Sequence, residues 1–219
     1  MSYILNIETA TKNCSVSLAK DGATIICKEI AEQGYSHAEK LHVFIDEIIK
    51  EAAISMSDLN AIAVSQGPGS YTGLRIGVSA AKGLCYALEI PLIAIDTLTS
   101  LANQVQQDDG LIIPMIDARR MEVYSAIFNS NKEMIREVQA QILTEESFVN
   151  QTETIYFVGD SSEKAKSVLN QSNFIFLDKI VFPSANEMSA ISYAKFQNSD
   201  FVDVAYFEPY YLKDFLFAK

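Results

Sequence analysis

Histidine, cysteine and positive charge are all scarce in this chain, and each scarcity removes a class of function. Its two histidines, His37 and His42, share one segment, HAEKLH. On a helix, side chains four apart diverge by about 40° but those five apart by about 140°, so these imidazoles cannot share one tetrahedral ion. His37 is expected at the surface of a first helical turn. No Ser-His-Asp or Cys-His order stands out, so hydrolysis with a histidine base is not expected. The three cysteines, Cys14, Cys27 and Cys85, form no CxxC pair and read as free thiols of a reducing compartment. Lysine and arginine number 17 against 28 acids, a net charge of −11. Phosphate backbones are held mainly by such cations, so this chain alone should repel nucleic acid, and any RNA would be held through a partner. Long apolar runs are missing as well. No stretch reaches the roughly 18 uncharged residues of a membrane span, and MSYILNIETATKN has no basic start, which leads us to expect a cytoplasmic protein.

What is present reads as alternating strands and helices. YILNIE, NCSVSLA and ATIICKEI predict three strands joined by tight turns, the second turn at Asp21-Gly22. Ser36-His37-Ala38-Glu39 reads as a capping box opening a helix over about 36–53. Leu41, Phe44, Ile45, Ile48 and Ile49 gather on one side of that helix. AIAVS predicts a fourth strand, 71–88 a second helix, PLIAID a fifth strand and TLTSLANQVQ a third helix. A shorter version of the plan restarts after Asp108-Asp109-Gly110: LIIPMID, EVYSAIF, MIREVQAQIL, ETIYFVG and FIFLD read as strands, with helix starts at Asp160–Glu163 and Ser184–Glu187. The expected organisation is an α/β protein of two lobes, 1–109 and 110–219, each a sheet flanked by helices.

The most unusual stretch is SQGPGSYTGLRIG, residues 65–77. It lacks the Gly-Lys-Ser/Thr of a Walker loop and misses G-x-G-x-x-G by one residue. A glycine turn between strand and helix can still bind an anion through free N–H groups, which makes Gly67 and Gly69 candidate phosphate contacts. The other reading is close packing, with Gly73 and Gly77 letting the helix approach a neighbour. On a helical wheel Arg75, Ser79, Lys82 and Tyr86 form a narrow polar edge and about 240° is apolar or small. One sheet does not cover that much. Leu74, Gly77, Val78, Ala81 and Cys85 on this helix, with Phe44 and Ile48 on the one before, are therefore the expected contact with a partner or a second copy. Glu8, Thr9 and Thr11 supply a carboxylate and two hydroxyls to the first turn, either a phosphate site or a self-satisfied edge turn. Asp117-Ala118-Arg119-Arg120-Met121-Glu122 fills the equivalent turn of the second lobe, where a paired Asp and Arg make either a salt-linked turn or part of an inter-lobe ligand site.

ILNIETATKNCSVSLAKDG, HAEKLHVFIDEII, GPGSYTGLRIGVSAAKGLCYALEIPLIAIDTLTSLA and PMIDARRMEVYSAIF, in this order, resemble the TsaB (YeaZ) family. The resemblance implies an actin-like ATPase fold of the sugar kinase and actin type. It also implies a part in making threonylcarbamoyladenosine next to the anticodon of tRNAs reading codons that begin with A. In that family the TsaB chain is a non-catalytic partner of TsaD, paired through helices that correspond to 36–53 and 71–88, with the ATPase TsaE docking on the pair. tRNA is reached only through the complex, and a homodimer is expected in isolation. ATP is used by the complex, whereas Glu8 stands where an actin-like fold normally has Asp with a glycine nearby, and VGDSSEK offers one glycine where several are usual. No bound cofactor or metal is expected in this chain. The rival readings are an ATP-dependent transferase or kinase in its own right and a metallo-glycoprotease.

Overall fold

The computed structural model describes residues 1–31 and 37–213. The Ser36 half of the expected capping box lies outside the described residues. In chain order the elements are β1 (Tyr3–Glu8), β2 (Cys14–Lys20), β3 (Ala23–Ile30), α1 (His37–Glu51), β4 (Leu59–Gly67), α2 (Tyr71–Leu88), β5 (Leu92–Asp96), α3 (Thr97–Ala102), β6 (Leu111–Asp117), β7 (Glu122–Phe128), β8 (Met134–Ile142), β9 (Ile155–Val158), α4 (Ser162–Lys166), β10 (Phe174–Phe176) and α5 (Ala185–Gln197). A 3-10 turn at Met56–Asp58 precedes β4.

The same sheet is built twice. β1, β2 and β3 form an antiparallel meander, and β4 and β5 add in parallel on the other side of β1, giving the order β3-β2-β1-β4-β5. β6, β7 and β8 repeat the meander and β9 and β10 repeat the parallel additions, giving β10-β9-β6-β7-β8. What differs is the helical cover. The α2 position holds 18 residues in the first copy, and its counterpart α4 holds 5. The β8–β9 connection, counterpart of the segment carrying α1, is a run of turns.

In the first unit, Leu5, Ile7, Val16 and Leu18 turn toward α1 and α2, while Ile4, Ala63, Ile93 and Ile95 turn toward Ala185 and Met188 of α5. β1 is therefore buried on both faces, as a central strand flanked by helices must be. α5 docks through polar groups as well: Ser17 Oγ donates to the Ala185 carbonyl at 2.7 Å, and Thr24 Oγ1 donates to Ser189 Oγ at 2.7 Å. In the second unit, Leu98, Leu101 and Ala102 of α3 cover one sheet face, and Ala165 of α4 joins the cluster on the other.

Contacts divide the chain into Met1–Thr97 with Ser184–Tyr210, and Leu98–Pro183 with Tyr211–Lys219. The expected boundary at 109/110 thus falls inside the second unit. The reason is packing: α3 lies on the second sheet and α5 returns to the first.

Candidate functional site

The first turn follows β1, whose end Glu8 is 0% exposed. Glu8 Oε1 accepts from the Ala10 N–H at 2.6 Å, and Oε2 has no hydrogen-bond partner among the described residues. The Ser65 hydroxyl lies close enough to favour the carboxylate, but its hydrogen bond is shared with Thr97 Oγ1 at 2.7 Å. Burial pushes the Glu8 carboxyl up to about 7, with the charge of Asp96 adding to it and the Ala10 N–H opposing it.

Around this carboxyl the chain satisfies itself. Thr9 Oγ1 donates to the Gly73 carbonyl at 2.8 Å, and the Ser70 N–H donates to the Ala10 carbonyl at 2.6 Å. His37 Nε2 pairs with the Thr11 carbonyl at 2.8 Å. This corrects the expectation of a surface His37: it is buried and ties α1 to the turn, while His42 is exposed. The glycines explain the approach. A Cβ at Gly69 would lie 2.3 Å from the Ala10 carbonyl oxygen, one at Gly73 2.1 Å from the Thr9 carbonyl oxygen, and one at Gly77 2.2 Å from Thr9 Oγ1. Gly67 adopts φ +114°, and a Cβ there would lie 2.7 Å from the Tyr210 carbonyl oxygen. The α2 start is capped from within, Ser70 Oγ accepting from the Gly73 N–H. Glu8, Thr9, Thr11, Gly67 and Gly69 thus each lie against other parts of the chain, Glu8 and Gly69 against Ala10, Thr9 against Gly73, Thr11 against His37 and Gly67 against Tyr210. With a buried acid in the turn and the α2 backbone pressed on it, these residues do not fit a nucleotide phosphate.

α2 separates into two faces. Gly73, Leu74, Gly77, Val78, Ala81 and Cys85 are its buried residues and span about 140° of the wheel. This corrects the sequence expectation for Leu74, Gly77, Val78, Ala81 and Cys85 as partner contacts: the chain's own first turn and sheet cover them. Ile48 is buried too, and Phe44 is half-buried against the same core. Burial pushes the Cys85 thiol up to about 12 and the Cys14 thiol up to about 11, which leaves both inert. The surface that stays open is the opposite arc. A Cβ at Gly83 would meet no atom within 4 Å, Tyr86 is 84% exposed and Ala87 is exposed, while Ile76 and Ala80, like Phe44, are half-buried against the core beneath. Val43 of the adjoining α1 is 46% exposed. A shallow groove lined by Lys82, Gly83, Tyr86, Asp203, Val204 and Ala205 runs along this arc, and Lys82 Nζ bridges the carbonyls of Ala205 and Phe207.

In the second unit, the Asp160 carboxylate, expected as a helix cap, instead accepts from the Asp117 N–H at 2.8 Å. Ser161 makes no side-chain cap either, in keeping with the brevity of α4. Lys164 closes the turn, pairing with the Asp117 carboxylate at 3.0 Å and donating to the carbonyls of Arg120 and Glu122. The salt link of this turn thus runs from Asp117 to Lys164, and the expected Asp-Arg pair within Asp117–Glu122 does not form among the described residues. Sequence reasoning passed over Asp96, Ser65 and Lys164. The first two stand at the carboxyl ends of parallel strands, the position at which α/β sheets gather polar groups, whereas no local pattern announces Lys164. Among the described residues, no three His, Cys, Asp or Glu side chains gather into a metal-binding group, and no helix is long and apolar enough to cross a membrane.

Residues 25–213 match the family described as TsaD, tRNA N6-adenosine threonylcarbamoyltransferase. The chain is 30% identical over 220 residues to the tRNA threonylcarbamoyladenosine biosynthesis protein TsaB of Escherichia coli, spanning 96% of this chain and 94% of that one. It superposes on YeaZ from Pseudomonas aeruginosa with a TM-score of 0.85 at 24% identity, covering 97% of this chain and all of that one, at 100%. Component A of the Acidaminococcus fermentans (R)-2-hydroxyglutaryl-CoA dehydratase aligns with a TM-score of 0.52 at 9% identity, over 89% of this chain and 99% of that one. These likenesses, with the twice-built sheet, make the fold that of the actin-like ATPases.

Proposed function

Because the chain belongs to the TsaB family, we propose that it serves the formation of threonylcarbamoyladenosine next to the anticodon of tRNA, as the non-catalytic partner of a TsaD transferase. The observation that carries this reading is a likeness running along nearly the whole length of both chains to a relative named for that biosynthesis. The site chemistry favours the non-catalytic part. Glu8, the one strongly perturbed acid of the first turn, is sealed from solvent, and the turn around it is spent on packing. The open face of α2 supports the partner role: Gly83, Tyr86 and Ala87, with the half-buried Ile76 and Ala80 beside them, would meet TsaD, or a second copy when the chain is alone. TsaE would dock on the assembled pair. The surplus of acid in this chain leaves most of the tRNA contact to the complex.

One observation favours a second reading, an ATP-dependent transferase in its own right: the matching family is described as a transferase. A single reconstitution separates the two. The chain, TsaD, TsaE, ATP, threonylcarbamoyl-adenylate and unmodified tRNA are combined and each is omitted in turn, with the modified nucleoside measured. The proposal expects product to fall at least tenfold without this chain, and none from this chain with tRNA and the adenylate alone. Product from that minimal mixture would support the second reading. Undiminished product without the chain would overturn both.

A further inference from the structure

The tip between β6 and β7 holds two consecutive arginines in an uphill backbone conformation. Arg119 has φ +70° and Arg120 φ +50°, the left-handed region that side chains with a Cβ avoid and that glycine or asparagine would fill at less cost. The turn is nonetheless tightly tied. The Ala118 N–H donates to the Glu122 carbonyl at 3.1 Å, the Glu122 N–H donates to the Arg119 carbonyl at 3.1 Å, and the Asp117 carboxylate accepts from the Arg119 N–H at 2.5 Å.

The acids around this tip are already matched. Asp117 pairs with Lys164 and Glu122 with Lys213. The Asp160 carboxylate is taken by the Asp117 N–H, and burial favours its neutral form. Both arginines are exposed, and among the described residues neither guanidinium has an ion pair. Two unspent guanidinium groups on a rigid tip contrast with a chain whose net charge is −11. Adjacent planar forks suit bidentate contact with phosphate oxygens.

We propose that Arg119 and Arg120 form a phosphodiester contact, through which this chain touches the tRNA that the complex modifies. The inference rests on the function proposed above. It adds a direct, local RNA contact to a chain whose overall charge is unfavourable for one.

The test uses the assembled complex with TsaD and the double variant Arg119→Asn, Arg120→Gly. Both replacements accept the left-handed backbone, and the Lys164 contact to the residue 120 carbonyl is retained, so the melting temperature should not fall. tRNA affinity is measured between 50 and 200 mM salt. Each lost phosphate contact removes about 0.9 from the slope of log affinity against log salt. Loss of two contacts means that wild-type affinity falls roughly 12-fold more across this range than that of the variant, and Arg120→Gly alone should give about half the slope change. Equal slopes for wild type and double variant, with tRNA still modified, overturn the inference and leave the function standing. A variant that no longer joins the complex makes the tip a protein contact and also overturns it. tRNA modification that never depends on this chain removes the function, and the inference with it.

Discussion

Glu8 shows how much one buried acid can weigh. A carboxyl with no exposed surface and one unpartnered oxygen prefers to stay protonated, which is why it sits at about 7 rather than at its usual 4.5. In the unfolded chain the same group loses its proton near 4.5. Between those values the folded state holds more protons than the unfolded state, so stability is full below the unfolded value and falls as pH rises through the window. The size is about 3 kcal/mol, from roughly 1.4 kcal/mol per pH unit. Glu8→Gln removes this penalty. Relative to wild type, the variant should gain up to about 3 kcal/mol between pH 4.5 and 7.5 in urea unfolding; a wild-type to variant difference that is flat with pH would contradict the account. The position of Glu8 at the end of a strand was legible in the sequence. Its surroundings were not, because the side chains that act on it, Ser65 and Asp96, come from strands more than fifty positions away.

At the scale of the element, α2 carries two glycine roles that the wheel alone ran together. Residues 71–88 were readable as a helix from periodicity, and the bounds match. The breadth of its apolar surface was readable too. Which part meets the chain itself was not, since Gly73 and Gly77 press on Thr9, which no helical pattern names. The two faces should answer substitution with opposite signs. Gly73→Ala forces a Cβ toward a backbone carbonyl at 2.1 Å and should destabilise the chain by about 1–3 kcal/mol. Gly83→Ala adds a methyl group in open space and relieves the cost of a glycine in a helix, so it should stabilise by about 0.5–1 kcal/mol. Thermal or urea unfolding of the pair checks this, and equal effects would show that α2 is not divided as described. α5 was legible at its start, where Ser184 Oγ accepts from the Asn186 N–H. Its destination was hidden, because the face it turns to the sheet includes Ser189 and Ser192, both buried, rather than an apolar stripe.

For the molecule as a whole, the duplicated sheet was readable as a plan that restarts, and the order of strands and helices in each half followed from it. The unit boundaries were not readable, because a chain that leaves one sheet at α3 and returns to it at α5 signals neither crossing in its local composition. The account turns on the open side of α2 being a docking face in a chain whose glycine side is closed. The measurement that tests this most directly is light scattering of mixtures with TsaD, using wild type and Gly83→Arg. Arginine at 83 meets no atom of its own chain at the Cβ and favours helix over glycine, so the monomer should melt no lower than wild type. The account predicts a one-to-one complex for wild type and separate components for Gly83→Arg. A variant that still forms the complex at wild-type affinity would contradict it.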